Sequence, residues 1–229
     1  MQYLITSDLH LGSRYCRWRH VLEVLDRVPA GATLILNGDV IDDPSRALTP
    51  EHGQVLDRLV AESRRRPVIW VWGNHDDAYR PADPGQILFA PSYTIDRRLF
   101  LAHGHDFDNV MPQHQWFIHL FRRFHHLRIR LGAHPVHVAY YAKKWKMLYD
   151  FLCANVRRSA VEHAQEIGIP TVACGHTHYG EESTDNGIRY LNTGAWTEAP
   201  SYCLLVDDAG IALRDSAQLL ASQRWFAAG

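Results

Sequence analysis

Short apolar runs that break on a glycine or serine and then deliver an acid, an amide or an imidazole recur along this chain. Tyr3-Leu4-Ile5-Thr6 runs into Ser7-Asp8-Leu9-His10, Leu34-Ile35-Leu36 into Asn37-Gly38-Asp39, and Val68-Ile69-Trp70-Val71-Trp72 into Gly73-Asn74-His75-Asp76. Leu99-Phe100-Leu101-Ala102 leads to His103-Gly104-His105, and Thr171-Val172-Ala173-Cys174 to Gly175-His176-Thr177-His178. Runs of this length read as buried strands. Their C-terminal lips are where open α/β sheets bind ligands. One such ending is unremarkable, but the repetition points to a shared metal site.

The intervening pattern is helical. Trp18, Val21, Leu22, Leu25 and Val28 have amphipathic spacing and predict a helix over 16–28, closed by Pro29-Ala30-Gly31. A second is predicted over 50–66, with Thr49 as N-cap, Pro50 at the first helical position and Pro67 beyond its end. Strands alternating with helices imply a parallel sheet with right-handed crossovers. Further strands are expected near 92–95 and 99–102, joined by a turn at Asp96-Arg97-Arg98. In the tail, strands at 188–192, 202–206 and 211–215 predict a second, largely antiparallel sheet.

The character changes after Val110. Trp116, Phe117, Leu120, Phe121, Phe124, Leu127 and Leu131 fall at helical spacing, and a break at Gly132–Pro135 precedes another helical stretch, 136–167. The expected organisation is one domain, 1–229, with a helical cap inserted at about 110–167. The 46% hydrophobic and 21% charged composition is that of a globular protein, and the net charge of −1 gives no overall pull toward nucleic acid or membrane. The cap is locally cationic, with Asp150 its only acid between residues 111 and 160. Its Arg122, Arg123, Arg157 and Arg158 read either as a solvated face or as an anionic-substrate cradle, since guanidinium groups hold phosphates bidentately. Such a cap also suits peripheral contact with an anionic membrane. The cap histidines, His137 among them, read as non-ligands.

The four cysteines form no CxxC pair, which favours a reducing compartment. The chain opens on a strand, so no signal peptide is expected, and no apolar run approaches the roughly 18–20 residues of a membrane span. The expected location is cytoplasmic, compatible with the inner face of a membrane.

Asp8, His10, Asp39, Asn74, His103, His176 and His178 are carboxylate, amide and imidazole donors without thiolate, which suits Mn²⁺, Fe or Zn²⁺ in a catalytic rather than structural role. They are too many for one ion and suit two, with a shared carboxylate. Paired ions stabilise the attacking and leaving oxygens of a displacement at phosphorus. Asp42 and Asp43 read as capping or orienting acids, Asp76 as the partner that orients His75, and His105 as a supporting, substrate-contacting or packed histidine.

Asp8-Leu9-His10, Gly38-Asp39-Val40-Ile41-Asp42, Gly73-Asn74-His75-Asp76, His103-Gly104-His105 and Gly175-His176-Thr177-His178 together resemble the ordered motif set of the calcineurin-like metallophosphoesterases. The resemblance implies a four-layer α/β/β/α sandwich with an inserted helical cap. It implies one metal on Asp8, His10 and His178, another on Asn74, His103 and His176, and Asp39 bridging. His75 takes the place of the histidine that stabilises the transition state or protonates the leaving group. Length, the Ser7–Gly12 opening, the cap and Asn192-Thr193-Gly194-Ala195-Trp196 further resemble the UDP-2,3-diacylglucosamine pyrophosphatases. The chain departs from that group at His75, where Arg is typical, and at His105, where Asp is typical. The function this implies is two-metal hydrolysis of a phosphoanhydride or phosphodiester in a phosphorylated small molecule or lipid-linked nucleotide. A broad-specificity or cyclic-nucleotide phosphodiesterase shares the same centre, and a non-catalytic protein-binding scaffold is the rival of another class.

Overall fold

A computed structural model describes residues 1–110, 123–125, 127–222 and 225–226. In chain order the elements are β1 (Gln2–Thr6), α1 (Trp18–Arg27), β2 (Ala32–Asn37), α2 (Pro50–Ser63), β3 (Val68–Val71), β4 (Leu88–Ala90), β5 (Ser92–Ile95) and β6 (Leu99–Ala102). They continue with α3 (Val138–Ala142), α4 (Lys146–Glu166), β7 (Thr171–Cys174), β8 (Glu181–Asp185), β9 (Ile188–Asn192), β10 (Tyr202–Asp207), β11 (Gly210–Asp215) and α5 (Ser216–Ala221). Two sheets result, ordered β11-β10-β1-β2-β3-β4 and β5-β6-β7-β9-β8.

Strand alternation divides the core into layers. Ile5, Ile35, Ile69 and Val71 face Leu101, Ala173 and Leu191 between the sheets. Their neighbours Leu4, Leu34, Leu36 and Trp70 turn outward onto Val21, Leu25, Val55 and Leu59 of α1 and α2. On the far side Phe100, Val172, Cys174 and Tyr190 pack against Ala160, Val161 and Ala164 of α4. Helices, sheet, sheet and helix are thus the four expected layers, each fully buried aliphatic side chain contributing about 1.5–3 kcal/mol. Thr49 caps α2 by accepting from His52 N, and Pro50 opens it.

The tail differs from expectation. Of the predicted antiparallel tail sheet, β9 joins the second sheet parallel to β7, whereas β10 extends the first sheet antiparallel to β1 and β11 pairs antiparallel to β10 at its edge. Cys203 and Leu205 pack into the helix-side core and Leu204 and Val206 into the inter-sheet core. A strand buried on both faces belongs inside a sheet rather than in a solvent-backed hairpin. The helical stretch 136–167 is divided into α3 and α4. Among the described residues no helix is long and apolar enough to cross a membrane. The stripe residues Trp116, Phe117, Leu120 and Phe121, and Arg122, lie outside the described residues.

Candidate metal centre

The loops leaving the strands stay in register for several residues. Asp8 N donates to Gly38 O at 2.9 Å, His10 N to Asp39 O at 3.0 Å, and Gly175 N to His103 O at 2.8 Å. Asp8, His10, Asp39, His176 and His178 all have left-handed backbones, with φ of 54°, 50°, 52°, 65° and 56°. Non-glycine residues adopt this region at a cost, and such strain gathers at functional sites. Gly73 and Gly175 have no room for a side chain: a Cβ would strike the Asp39 carboxylate at the first and the Asp8 carboxylate at the second.

These turns aim side chains from distant segments at one another. His10 Nε2 lies 3.0 Å from His178 Nε2, and His178 Nε2 lies 3.3 Å from Asp8 Oδ1. His10 Nε2 is 3.9 Å from both Asp8 Oδ1 and Asp39 Oδ2. His103 Nε2 stands 3.2 Å from Asp39 Oδ2. Among the described residues three overlapping groups have donor atoms within 4.8 Å of one another: Asp8–His10–His178, His10–Asp39–His75 and Asp8–Asp39–His103. The remote nitrogens are anchored, His10 Nδ1 at 3.0 Å from Asp42 Oδ1 and His103 Nδ1 at 2.9 Å from Asn37 O. That holds each Nε2 inward, as partners behind metal-bound histidines do. His103 Nε2 is buried without a hydrogen bond. Buried carboxylates, inward imidazoles and this orphaned nitrogen fit a divalent cation pair.

The charges are strongly coupled. Burial alone would raise the Asp39 carboxyl, but His103 beside it and His10 hold it well below the usual carboxylate range. Burial would likewise depress His103, yet Asp39 and Asp8 outweigh it and push the imidazole up to about 10. A cation would take over the charge that the His103 proton otherwise supplies.

His176 and Asn74 adjoin this cluster, with the His176 ring 5.5 Å from that of His103. Instead of meeting His103 at one point, His176 places Nδ1 3.0 Å from Asn74 Oδ1 and Nε2 3.0 Å from Asp108 Oδ2. Asp108 is a site residue that the sequence reading passed over, and nothing in the composition of His105–Asp108 distinguishes it. His75 packs edge-on to His10 at 4.9 Å. Its backbone N donates to Asp39 Oδ1 at 2.8 Å, and its Nδ1 lies 2.7 Å from the Asp42 carbonyl oxygen.

Two expectations are corrected here. Asp76 does not orient His75: its carboxylate accepts from Val40 N at 2.6 Å, Ile41 N at 3.3 Å, Gly73 N at 2.7 Å and Trp70 Nε1 at 3.2 Å. The orienting partner is the Asp42 carbonyl. Nor do Arg123, Arg157 and Arg158 form the anionic-substrate cradle, one of the two readings open for them beside a solvated face, although Arg130, also in the cap, does line the cleft. Arg157 is paired with Glu181 and Asp185, Arg158 and Arg123 are exposed, and none of them lines the cleft over the centre. Leu148, Leu152 and Val156 line it, and helical pitch turns positions 157 and 158 away from that face. His105 also stays off the cleft, its ring 5.7 Å from His103, with Nδ1 buried and unpartnered.

The cleft has a volume of about 1200 Å³. Its floor includes His10, Asp39, Asn74, His75, His176 and His178; its walls include Val110, Ile129, Val138, Trp145, Leu148 and Leu152. His137 also lines it, pulled down to about 3 by burial and then by neighbouring His178 and His10.

The calcineurin-like phosphoesterase family profile matches residues 1–180, and the chain belongs to that family. Its members use divalent metals, and membership supports a hydrolase acting on phosphoric esters. No curated protein matches the sequence. Among solved structures the chain is similar to YfcE, a phosphoesterase from E. coli, at 18% identity and a TM-score of 0.50, covering 95% of this chain and 94% of that one. That likeness carries the shared fold. A Vps29 variant from Entamoeba histolytica matches at 14% identity and a TM-score of 0.48, over 93% and 97% of the two chains. An archaeal phosphodiesterase matches at 15% and 0.47, over 94% and 99%.

Proposed function

We propose that the protein is a two-metal phosphohydrolase that cleaves a phosphoanhydride or phosphodiester bond in an amphiphilic substrate, UDP-2,3-diacylglucosamine or a related lipid-linked nucleotide. One observation carries this reading: a single cleft joins the donor-lined floor to an apolar wall supplied by the cap. In this reading Asp8, His10 and His178 would hold one ion, Asn74, His103 and His176 the other, and Asp39 would be shared between them. Mn²⁺ is the leading identity, Fe or Zn²⁺ the alternatives. Bound ions supply positive charge at the phosphoryl oxygens and make a water more acidic.

The remaining work falls to the chain. The Asp42 carbonyl accepts from His75 Nδ1–H, which fixes the ring at the cleft; in its imidazolium form His75 would donate the Nε2 proton to the departing oxygen and become the neutral Nδ1–H tautomer. The His75 backbone N–H steadies Asp39. The apolar wall receives acyl chains and excludes water around the reacting phosphate. Exposed Leu131, Met147 and Phe151, with exposed Lys144 and Lys146 in the same cap, support a peripheral position at the inner face of a membrane.

The test compares kcat/KM for UDP-2,3-diacylglucosamine with that for bis(4-nitrophenyl) phosphate in Mn²⁺-loaded enzyme. A preference for the lipid nucleotide of about 100-fold or more is expected. Equal or poorer use of it would overturn the substrate and favour a broad-specificity or cyclic-nucleotide phosphodiesterase. Turnover of neither, after loading with each metal, would overturn hydrolysis and favour the scaffold.

A further inference from the structure

The cap brings one polar ring onto the metal donors. His137, the residue before α3, stacks on His178 with centroids 5.3 Å apart and planes at 20°. The same ring lies 5.8 Å from His10 and stands edge-on to Tyr15 at 5.7 Å. Its Nδ1 accepts from Ala139 N at 3.3 Å. A ring nitrogen that accepts carries no proton, so the proton of this imidazole resides on Nε2. Among the described residues no group pairs with that Nε2–H.

The placement is held from the cap side. Lys143 Nζ donates to His178 O at 2.6 Å and pairs with Glu198. Tyr149 OH donates to Thr177 O. Two cap residues therefore grip the backbone of 177–178 while His137 covers the His178 ring. A stacked, backbone-capped imidazole that lines the cleft has little freedom left, so its spare donor is held there with little ordering cost.

We propose that His137 is a substrate-binding residue supplied by the cap, whose Nε2–H donates a hydrogen bond to a non-bridging phosphoryl oxygen held over the metal centre. The phosphate subsite is then complete only with the cap seated on the 177–178 loop. This rests on the phosphohydrolase reading above and adds a contact that the strand-end motifs do not provide. A neutral donor suits this place, because it can meet a phosphoryl oxygen without adding a further cation beside the metals.

Two substitutions in the full, Mn²⁺-loaded chain separate the donor from the ring. His137→Phe keeps an aromatic face on His178 and removes the donor. His137→Gln keeps an acceptor for Ala139 N and an N–H near the position of Nε2. The readouts are bound metal, affinity for inorganic phosphate by titration calorimetry, and kcat/KM for bis(4-nitrophenyl) phosphate. The expected result is a loss of roughly 10- to 100-fold in phosphate affinity and kcat/KM for the Phe variant. Its metal content should be normal, and the Gln variant should recover most of the loss. Wild-type phosphate affinity in the Phe variant would overturn the proposal. So would a Gln variant no better than Phe, or a Phe variant that loses metal, which would make His137 a buttress for His178. If the wild type hydrolyses nothing while phosphate binding follows the expected pattern, the hydrolase reading fails and the His137 contact stands.

Discussion

Asp76 offers the sharpest test of how this site is held together. Its side chain is fully buried and accepts from three backbone N–H groups and one indole, tying the Val40–Ile41 loop to Gly73 and Trp70. Replacing it with Ala strands those donors. The bonds from Val40 at 2.6 Å and Gly73 at 2.7 Å are strong, those from Ile41 and Trp70 at 3.3 and 3.2 Å weaker. At about 1–3 kcal/mol for each unsatisfied buried donor, with partial relief from water, Asp76→Ala should cost about 3–6 kcal/mol. That is a large share of the roughly 5–15 kcal/mol that holds a domain folded. For a chain of this size it corresponds to a fall in Tm of roughly 6–24 °C. Thermal unfolding of the metal-free variant reads this directly, alongside hydrolysis well below both midpoints. A Tm within about 3 °C of wild type, combined with activity as poor as that of His75→Ala, would refute the reasoning and restore Asp76 as the partner of His75.

The other predictions concern the donors. His75→Ala should lower kcat by roughly 10²–10⁴-fold with bound metal unchanged; full activity in a metal-replete sample would remove its proposed acid role. Gly175→Ala pushes a methyl group into the Asp8 carboxylate, so metal affinity should fall by about 10–100-fold while the circular dichroism spectrum persists; undiminished affinity would show that Asp8 is not a ligand. In metal-free protein, His103 is pushed up from 6.5 to about 10, so its stabilisation is complete below pH 6.5 and is lost as pH rises toward 10. Asp39 is depressed, so its share is present above about pH 3.8 and is lost as pH falls through its lowered pKa. The urea midpoint should therefore decline between pH 6.5 and 10, and His103→Gln should flatten that decline; a flat wild-type profile would contradict the coupling. Mn²⁺ added near pH 7 should release the His103 proton, seen as acidification of weakly buffered protein.

The amino-acid sequence by itself determined which residues stand at strand ends, because an apolar run, a glycine and a polar residue are consecutive on the chain and their alternation is local. It therefore revealed the donors Asp8, His10, Asp39, His103 and His178 and the helices of the first crossovers. Only the tertiary structure decided what lies behind those donors. Asp42 rather than Asp76 orients His75, because that choice depends on how two loops meet across the top of the first sheet. Arg157 turns to Glu181 and Asp185, a pairing across 24 and 28 positions that no periodicity encodes. β10 chose the first sheet over the second because burial on both faces is a property of the assembled layers. His137, one histidine among several in the cap, acquired its place on His178 only when α3 and α4 came to rest over the metal centre.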